Sequence, residues 1–354
     1  MIRIFAYCRC NAGDDLFIRT LLKRYPDQTF YLHTAPKYTQ YLKQEPNLKV
    51  ASNFSYTLSL LVGKLSKSLL RFLQNKRTAG FAAAVRIGGS VFIEKDGADP
   101  NYFPEKNKNF FIIGANFGPY RTKEFFDAKK EKIKASADCC FRDRYSYELF
   151  SDLPQVRYAP DVLFGYPFLP PRKDGEHIGV SVIDFNNHGK LSAYTAAYER
   201  GIKKICDYWV AQHRTVKLLC FCADEGDTSA AERVIASCND PDQIETIVYS
   251  GDTESFLAEI NNCEILYATR FHAMILGWAM YKTVVPVIYS EKQTNVIEDI
   301  GFEGIVWNIS HGDPFSETML SPQNNRMDEA LIERTKIRAQ EQFSGLDAFF
   351  GANS

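Results

Sequence analysis

Apolar positions along the chain fall into short runs separated by longer amphipathic or polar stretches. In the first half the runs are 2–8, 30–33, 83–87, 110–113 and 137–141; the second half repeats the rhythm at 178–183, 216–221, 246–249, 264–268 and 284–289. Runs of this length alternating with helix-length stretches predict βα units. Because the runs are apolar on both faces, the strands are expected in parallel sheets covered by helices, an α/β fold. The cluster Pro160, Pro167, Pro170 and Pro171 in APDVLFGYPFLPPRKDGEH is the strongest break in the pattern. It predicts two domains, 1–170 and 171–354, whose parallel sheets face an interdomain cleft at the C-terminal ends of their strands, where doubly wound sheets bind ligands. The tail 327–350 has Leu331, Ile332 and Ile337 at helical spacing and is expected as a helix able to cross the domain junction.

Composition narrows the class. With 354 residues, 45% hydrophobic and 24% charged, the chain is far from the low-hydrophobicity, high-charge corner where chains stay disordered. Lys plus Arg number 42 and Asp plus Glu 43, for a net charge of −1, so no global field attracts nucleic acid and none is expected as a partner. The nine cysteines sit mostly in apolar runs and lack a C-x-x-C pair or zinc-ligand spacing, which predicts reduced core thiols without metal or disulfide framework. The start MIRIFAYCRCNAGDD passes from a short apolar segment directly into acids, unlike a signal peptide. No apolar stretch is long enough to span a bilayer, and a cytoplasmic protein is expected. Between 58 and 77, Leu58, Leu61, Val62, Leu65, Leu69 and Phe72 form a helical stripe beside Lys64, Lys67 and Arg71. Such a basic amphipathic helix either docks peripherally on the inner face of an anionic membrane or buries its apolar face in the N-terminal domain.

Two segments concentrate chemistry. CEILYATRFHAMILGWAM reads as a strand ending near Ala268, a turn capped by Thr269 and a helix opening around Arg270, His272 and Ala273. Free N–H groups and the helix dipole make such an end an anion site; the alternative for Arg270 is an interdomain salt bridge. SADCCFRDRYSYELF carries Arg142, Asp143, Arg144 and Ser146 after another strand. Guanidinium forks bind carboxylate and phosphate bidentately, whereas the structural alternative pairs Asp143 with one of the arginines and leaves Ser146 as an N-cap. Glycine-bearing strand ends, NAGDD at 11–15, IGGS at 87–90 and IGANFGPY at 113–120, allow close approach of backbone to ligand. None makes the G-x-G-x-x-G or P-loop pattern, so no dinucleotide or ATP site is indicated. Asp14 and Asp15 are candidates for orienting a hydroxyl or for capping a helix.

Taken together these pieces resemble the polysaccharide pyruvyl transferase family over nearly the whole chain. The matching elements are Asn11, Gly13 and Asp14; Gly88 and Gly89; Gly114, Gly118 and Pro119; Arg142, Asp143 and Ser146; Ala159, Pro160 and Asp161; Arg270, His272 and Ala273; and Lys292 in YSEKQTNVIEDIG. Asn116 stands where relatives often carry a further glycine. The resemblance implies a GT-B-like pair of Rossmann-type domains, acceptor side first and donor side second. It also implies transfer of a pyruvyl group from phosphoenolpyruvate to two hydroxyls of a sugar in a capsule, exopolysaccharide or cell-wall glycan precursor, giving a pyruvate ketal. It makes His272 the proton-transfer or phosphate-gripping residue, Arg142 the holder of the donor's anionic groups, and Lys292 a further cation, with Arg270 beside them.

The chemistry can also be argued from the donor itself. Phosphoenolpyruvate carries carboxylate and phosphate on one carbon and needs several cations and aligned N–H groups. Reaction at C2 requires protonation of C3, removal of hydroxyl protons and departure of phosphate, for which a histidine suits near-neutral pH. Neither a metal nor a cofactor is expected; the partners expected are phosphoenolpyruvate and a sugar or lipid-linked oligosaccharide. Two other readings stay open: a GT-B glycosyltransferase using a nucleotide sugar, and a non-catalytic glycan- or anion-binding protein on the same fold.

Overall fold

The computed structural model describes residues 1–42, 45–51, 80–94, 103, 109–168, 170, 175–187, 189–309 and 315–352. The amphipathic segment 58–77, with its expected membrane contact, lies outside the described residues. The chain forms two compact units. The first comprises Met1–Cys8, Phe17–Gly165 and Ile337–Ser354, the second Arg9–Leu16 and Tyr166–Lys336. The division expected near residue 170 thus falls at Gly165–Tyr166, and two short segments lie with the other half of the sequence: Arg9–Leu16 with the second unit, Ile337–Ser354 with the first.

In the first unit seven parallel strands are ordered β3-β2-β1-β4-β5-β6-β7. They are β1 Ile2–Phe5, β2 Phe30–His33, β3 Leu48–Ala51, β4 Ala83–Ile87, β5 Phe110–Ala115, β6 Asp138–Phe141 and β7 Val156–Tyr158. The central strands β4 to β6 are buried at every position, as expected of strands covered on both faces. An aromatic core packs against them, with Phe141 stacked on Phe150 at 5.7 Å and Phe92 on Phe103 at 5.4 Å. The C-terminal helix Ser344–Gly351 is tied into this unit by Asp347, which accepts from the Arg24 guanidinium and from the Tyr25 hydroxyl, each at 2.7 Å.

The second unit has six strands ordered β10-β9-β8-β11-β12-β13. They are β8 His177–Ser181, β9 Thr215–Cys220, β10 Ile244–Val248, β11 Cys263–Ala268, β12 Thr283–Ile288 and β13 Trp307–Asn308. All pairings are parallel. Tyr198 and Trp307 stack at 5.9 Å in its core. The helix Thr195–Ala211 reaches this layer because residue 201 is glycine: a Cβ there would meet the Trp307 ring at 2.2 Å. In each sheet the strand order reverses once, between β1 and β4 and between β8 and β11, so the fold offers two topological switch points.

Strands β3, β7 and β13 do not stand out as apolar runs. All three are edge strands, and β3 and β7 keep only their first residue buried, so a continuous apolar signature is absent by construction. All nine cysteines are unbridged. Among the described residues no helix is long and apolar enough to cross a membrane, and no group of three or more His, Cys, Asp or Glu side chains could hold a metal ion.

Candidate functional site

The second unit's switch point is built around one serine. Ser181, the last residue of β8, is fully buried, and its Oγ accepts hydrogen bonds from Thr269 N at 2.9 Å and Arg270 N at 3.0 Å. Those residues follow β11 and lead directly into the helix Phe271–Ala279. Arg270 is the N-cap residue but makes no side-chain cap; the turn is fixed by Ser181 from the neighbouring strand, and Thr269 instead directs its hydroxyl to Tyr198 at 3.1 Å. Gln293 holds the same turn from the other side: its buried amide donates to Thr269 O and Val287 O, both at 3.1 Å, and accepts from Tyr289 N at 3.0 Å.

His272 stands in the first turn of this helix. Its imidazole lies against the α-carbon of Gly13, where a Cβ would come 1.7 Å from Nδ1. Gly13 is positioned by Asn11, whose Oδ1 accepts from Gly13 N at 3.1 Å and Asp14 N at 3.4 Å. The capping acceptor of the helix Ala12–Arg24 is therefore Asn11, and neither Asp14 nor Asp15. Asp14 is half-buried in the first turn, while buried Asp15 accepts from the Tyr249 hydroxyl at 3.0 Å. Lys292, second in the helix Glu291–Ile300, holds its Nζ 5.8 Å from the Phe271 ring centroid and 5.9 Å from that of Tyr289. Gly13, His272 and Lys292 are thus gathered around Phe271 and the opening turn of one helix, whose first N–H groups have no intrahelical acceptor.

Arg270 is occupied differently. Its guanidinium grips both oxygens of Asp227, the first residue of the helix Asp227–Ser237, and also Glu225. Both carboxylates belong to the same unit, so the ion pair is internal to it and is not the interdomain bridge the sequence left open. Burial works to lower the Arg270 pKa, but Asp227 and Glu225 override it and hold the group above its ordinary value.

In the first unit the candidates meet at the ends of β4, β5 and β6. Arg142 follows β6 with a buried side chain, donating from Nη1 to Asp161 at 2.9 Å and from Nη2 to Asn116 Oδ1 at 2.8 Å. Gly89 makes room for it, since a Cβ there would lie 2.4 Å from the guanidinium carbon, and Gly88 adopts φ +143°. The backbone N–H of Asn116 donates to Gly89 O at 2.8 Å, which locks the two strand ends together. The N-cap of the helix Arg144–Glu148 is Asp143, whose Oδ1 accepts from Ser146 N at 2.8 Å. Ser146 is accordingly the capped residue, not the cap, and its Oγ accepts from Phe117 N at 2.7 Å. Arg144 is exposed, 5.6 Å from the Tyr158 ring. Asp161, fully buried, has its pKa raised by burial against the opposing pull of Arg142.

Sequence reasoning does not single out Ser181, Asp227 or Gln293. Ser181 closes a strand that reads only as apolar, and Gln293 lies beside the more conspicuous Lys292. A polar residue at a strand end is the signal available for Ser181, and only the strand order gives it meaning.

Two parallel sheets, each with one reversal of strand order, define a GT-B-like α/β protein of two Rossmann-type domains. Among solved structures it is similar to Alr3699/HepE of Anabaena in complex with UDP-glucose, with a TM-score of 0.55 and 8% identity over 98% of this chain and 96% of that one. It is also similar to α,α-trehalose 6-phosphate synthase from Burkholderia multivorans, with a TM-score of 0.54 and 11% identity over 100% of this chain and 99% of that one. At such identities the likeness is one of fold. No curated protein matches the chain in sequence. The family model of polysaccharide pyruvyl transferases matches residues 11–291, from Asn11 of the cap to the residue before Lys292. The chain belongs to the polysaccharide pyruvyl transferase family.

Proposed function

We propose that the protein transfers a pyruvyl group from phosphoenolpyruvate to two hydroxyls of one sugar in a capsule, exopolysaccharide or cell-wall glycan precursor, forming a pyruvate ketal and releasing phosphate. The observation that carries this reading is the grouping of His272, Lys292 and the opening turn of the helix Phe271–Ala279 at the β8–β11 switch point, in a chain of this family. A donor carrying a carboxylate and a phosphate is met there by a cation and by the positive end of a helix.

In this scheme C3 of the donor takes up a proton as a sugar oxygen bonds to C2; loss of phosphate then lets the second sugar oxygen bond to the same carbon. One of the two hydroxyl protons replaces the proton taken up at C3, and the other leaves with phosphate. His272 is the group that moves a proton, and Lys292 with the helix end stabilises the departing phosphate, the larger contribution in reactions of this type. Asp14, next to Gly13, orients an acceptor hydroxyl. Arg142, enclosed by Asp161 and Asn116, serves by holding the Gly88–Gly89 turn and Asn116 in place, and Arg270 by fixing the approach to His272. Asp143 and Ser146 support the same edge, and exposed Arg144 is the candidate there for an anionic part of a substrate. The protein works in the cytoplasm on a sugar or lipid-linked oligosaccharide, without metal or cofactor.

Thermal melting with phosphoenolpyruvate, UDP, GDP and CMP-sugars tests the reading, because a ligand that binds only the native state raises its stability. Stabilisation by phosphoenolpyruvate alone is expected. Stabilisation by a nucleotide and none by phosphoenolpyruvate would overturn it in favour of a nucleotide-sugar glycosyltransferase.

A further inference from the structure

Lys292 sits where a helix disfavours its charge. It is the second residue of the helix Glu291–Ile300, and the N-terminal end of a helix carries a partial positive charge that repels an ammonium. The lysine side chain is also long and flexible, so ordering it costs conformational entropy. Holding the ammonium near this end needs an attraction that offsets both.

Two aromatic rings supply one. Nζ lies 5.8 Å from the Phe271 ring centroid and 5.9 Å from that of Tyr289, both inside the roughly 6 Å reach of a cation–π attraction. Both rings are fixed in place. Phe271 is buried and packs edge-on against the His272 imidazole, with centroids 5.4 Å apart and planes at 87°. Tyr289, half-buried directly after β12, packs edge-on against Phe185 at 5.5 Å, and its N–H donates to Gln293 Oε1 at 3.0 Å. Gln293 is the neighbour of Lys292 in the helix and also donates to Thr269 O, just before Phe271. The two rings and the backbone that carries Lys292 therefore belong to one connected set of contacts in the second unit. An aromatic face attracts an ammonium without cancelling its charge. Arg270 shows the contrast, since its guanidinium is engaged by the carboxylates of Asp227 and Glu225.

We propose that Phe271 and Tyr289 are positioning residues that together hold the Lys292 ammonium ready for a phosphate-bearing ligand. The proposal rests on the reading of Lys292 as the cation for the phosphate of phosphoenolpyruvate, and adds the two groups that decide how tightly that phosphate is held.

Calorimetric titration of the full-length protein with phosphoenolpyruvate, at fixed pH and ionic strength, tests this in wild type and in Phe271→Leu, Tyr289→Leu, Tyr289→Phe and Lys292→Met. Lys292→Met is expected to weaken binding by about tenfold or more, the scale of a hydrogen bond to a charged group. Phe271→Leu and Tyr289→Leu are each expected to weaken it by about two- to fivefold, the scale of one cation–π contact. Tyr289→Phe keeps the ring and is expected to recover what Tyr289→Leu loses. In the Lys292→Met background neither leucine substitution is expected to cause a further loss, a result that a merely structural role for the rings would not give. Denaturant midpoints identify a variant that fails to fold; if Phe271→Leu is one, Tyr289→Leu, at a half-buried position, carries the test. Wild type that takes up no phosphoenolpyruvate would overturn the functional reading and this proposal with it. Binding by wild type that weakens in Lys292→Met but in neither leucine variant would overturn the proposal alone. Unchanged binding in Lys292→Met, losses from Lys292→Met and the leucine variants that add in full, or a Tyr289→Phe as weak as Tyr289→Leu would do the same.

Discussion

The imidazole of His272 rests on the bare α-carbon of Gly13, with only 1.7 Å between its Nδ1 and the point a methyl group would occupy. Glycine here is a matter of space, because the residue lies in a helix where alanine is intrinsically better by about 1 kcal/mol. Gly13→Ala is therefore expected to push His272 out of place while leaving helix formation intact. In the proposed reaction a displacement of this kind is expected to cost roughly 100-fold in turnover, and phosphate release from phosphoenolpyruvate with acceptor present, read beside circular dichroism, measures it. Wild-type turnover in Gly13→Ala would show that the position of His272 does not matter to the reaction.

Arg270 and Asp227 form a buried, two-pronged ion pair, so the cost of breaking it comes mainly from the charge left behind. Arg270→Ala is expected to destabilise the second unit by about 3–5 kcal/mol, the usual range for removing one partner of a buried pair. Arg270→Lys rescues little of this, since an ammonium cannot span both Asp227 oxygens and Glu225 together. Denaturant midpoints report the effect; a loss within about 0.5 kcal/mol for Arg270→Ala, the scale of an ordinary surface substitution, would mean that the pair contributes through neither charge.

In the first unit, Gly89 and Arg142 predict a coupling. Alone, Gly89→Ala drives a methyl into the guanidinium, 2.4 Å away, and disturbs the hydrogen bonds to Asn116 and Asp161. Arg142→Ala alone strands the Asp161 carboxylate. Combined, the added methyl meets empty space, so the double variant is expected to be more stable than the sum of the single effects by about 1–2 kcal/mol, within the range for residues in contact. Additive behaviour would place the guanidinium elsewhere.

The central strands and the helix start at His272 are legible in the sequence because both depend on local pattern: a doubly buried strand must be apolar throughout, and a strand followed by a basic helix opening reads directly. Partners are not legible. That Asn11 caps where Asp14 and Asp15 are the candidates, that Asp143 caps Ser146, or that Asp227 receives Arg270 depends on which side chain reaches which amide or guanidinium, and sequence order does not encode that reach. The same limit applies to Ser181, whose bonds to Thr269 and Arg270 join strands far apart in sequence but adjacent in the sheet. The spacing of Leu331, Ile332 and Ile337 predicts an amphipathic tail helix; in the structure Ile337 is 70% exposed, and a polar residue further on makes the anchoring contacts.

That residue is Gln342. Fully buried in the first unit, its Nε2 faces Phe141 O at 3.2 Å, Ala159 O at 2.7 Å and Pro160 O at 3.1 Å, while its Oε1 accepts from Gly114 N at 2.9 Å. One amide thus satisfies the ends of β5 and β6 and the start of the Ala159–Asp161 segment that carries the partner of Arg142. Gln342→Leu fills the volume but leaves these backbone groups without that partner, and each buried polar group so stranded costs about 1–3 kcal/mol. The variant is expected to lose several kcal/mol and, because Asp161 lies next to Pro160, to loosen Arg142 as well. Gln342→Glu separates the two contributions: it keeps the acceptor for Gly114 N but sets a carboxylate against three carbonyls, so it should be at least as damaging at neutral pH and recover as the pH falls and the carboxyl protonates. Denaturation of both variants at two pH values checks this; equal stability of Gln342→Leu and wild type would show that the tail is held by its apolar contacts and by Asp347 instead.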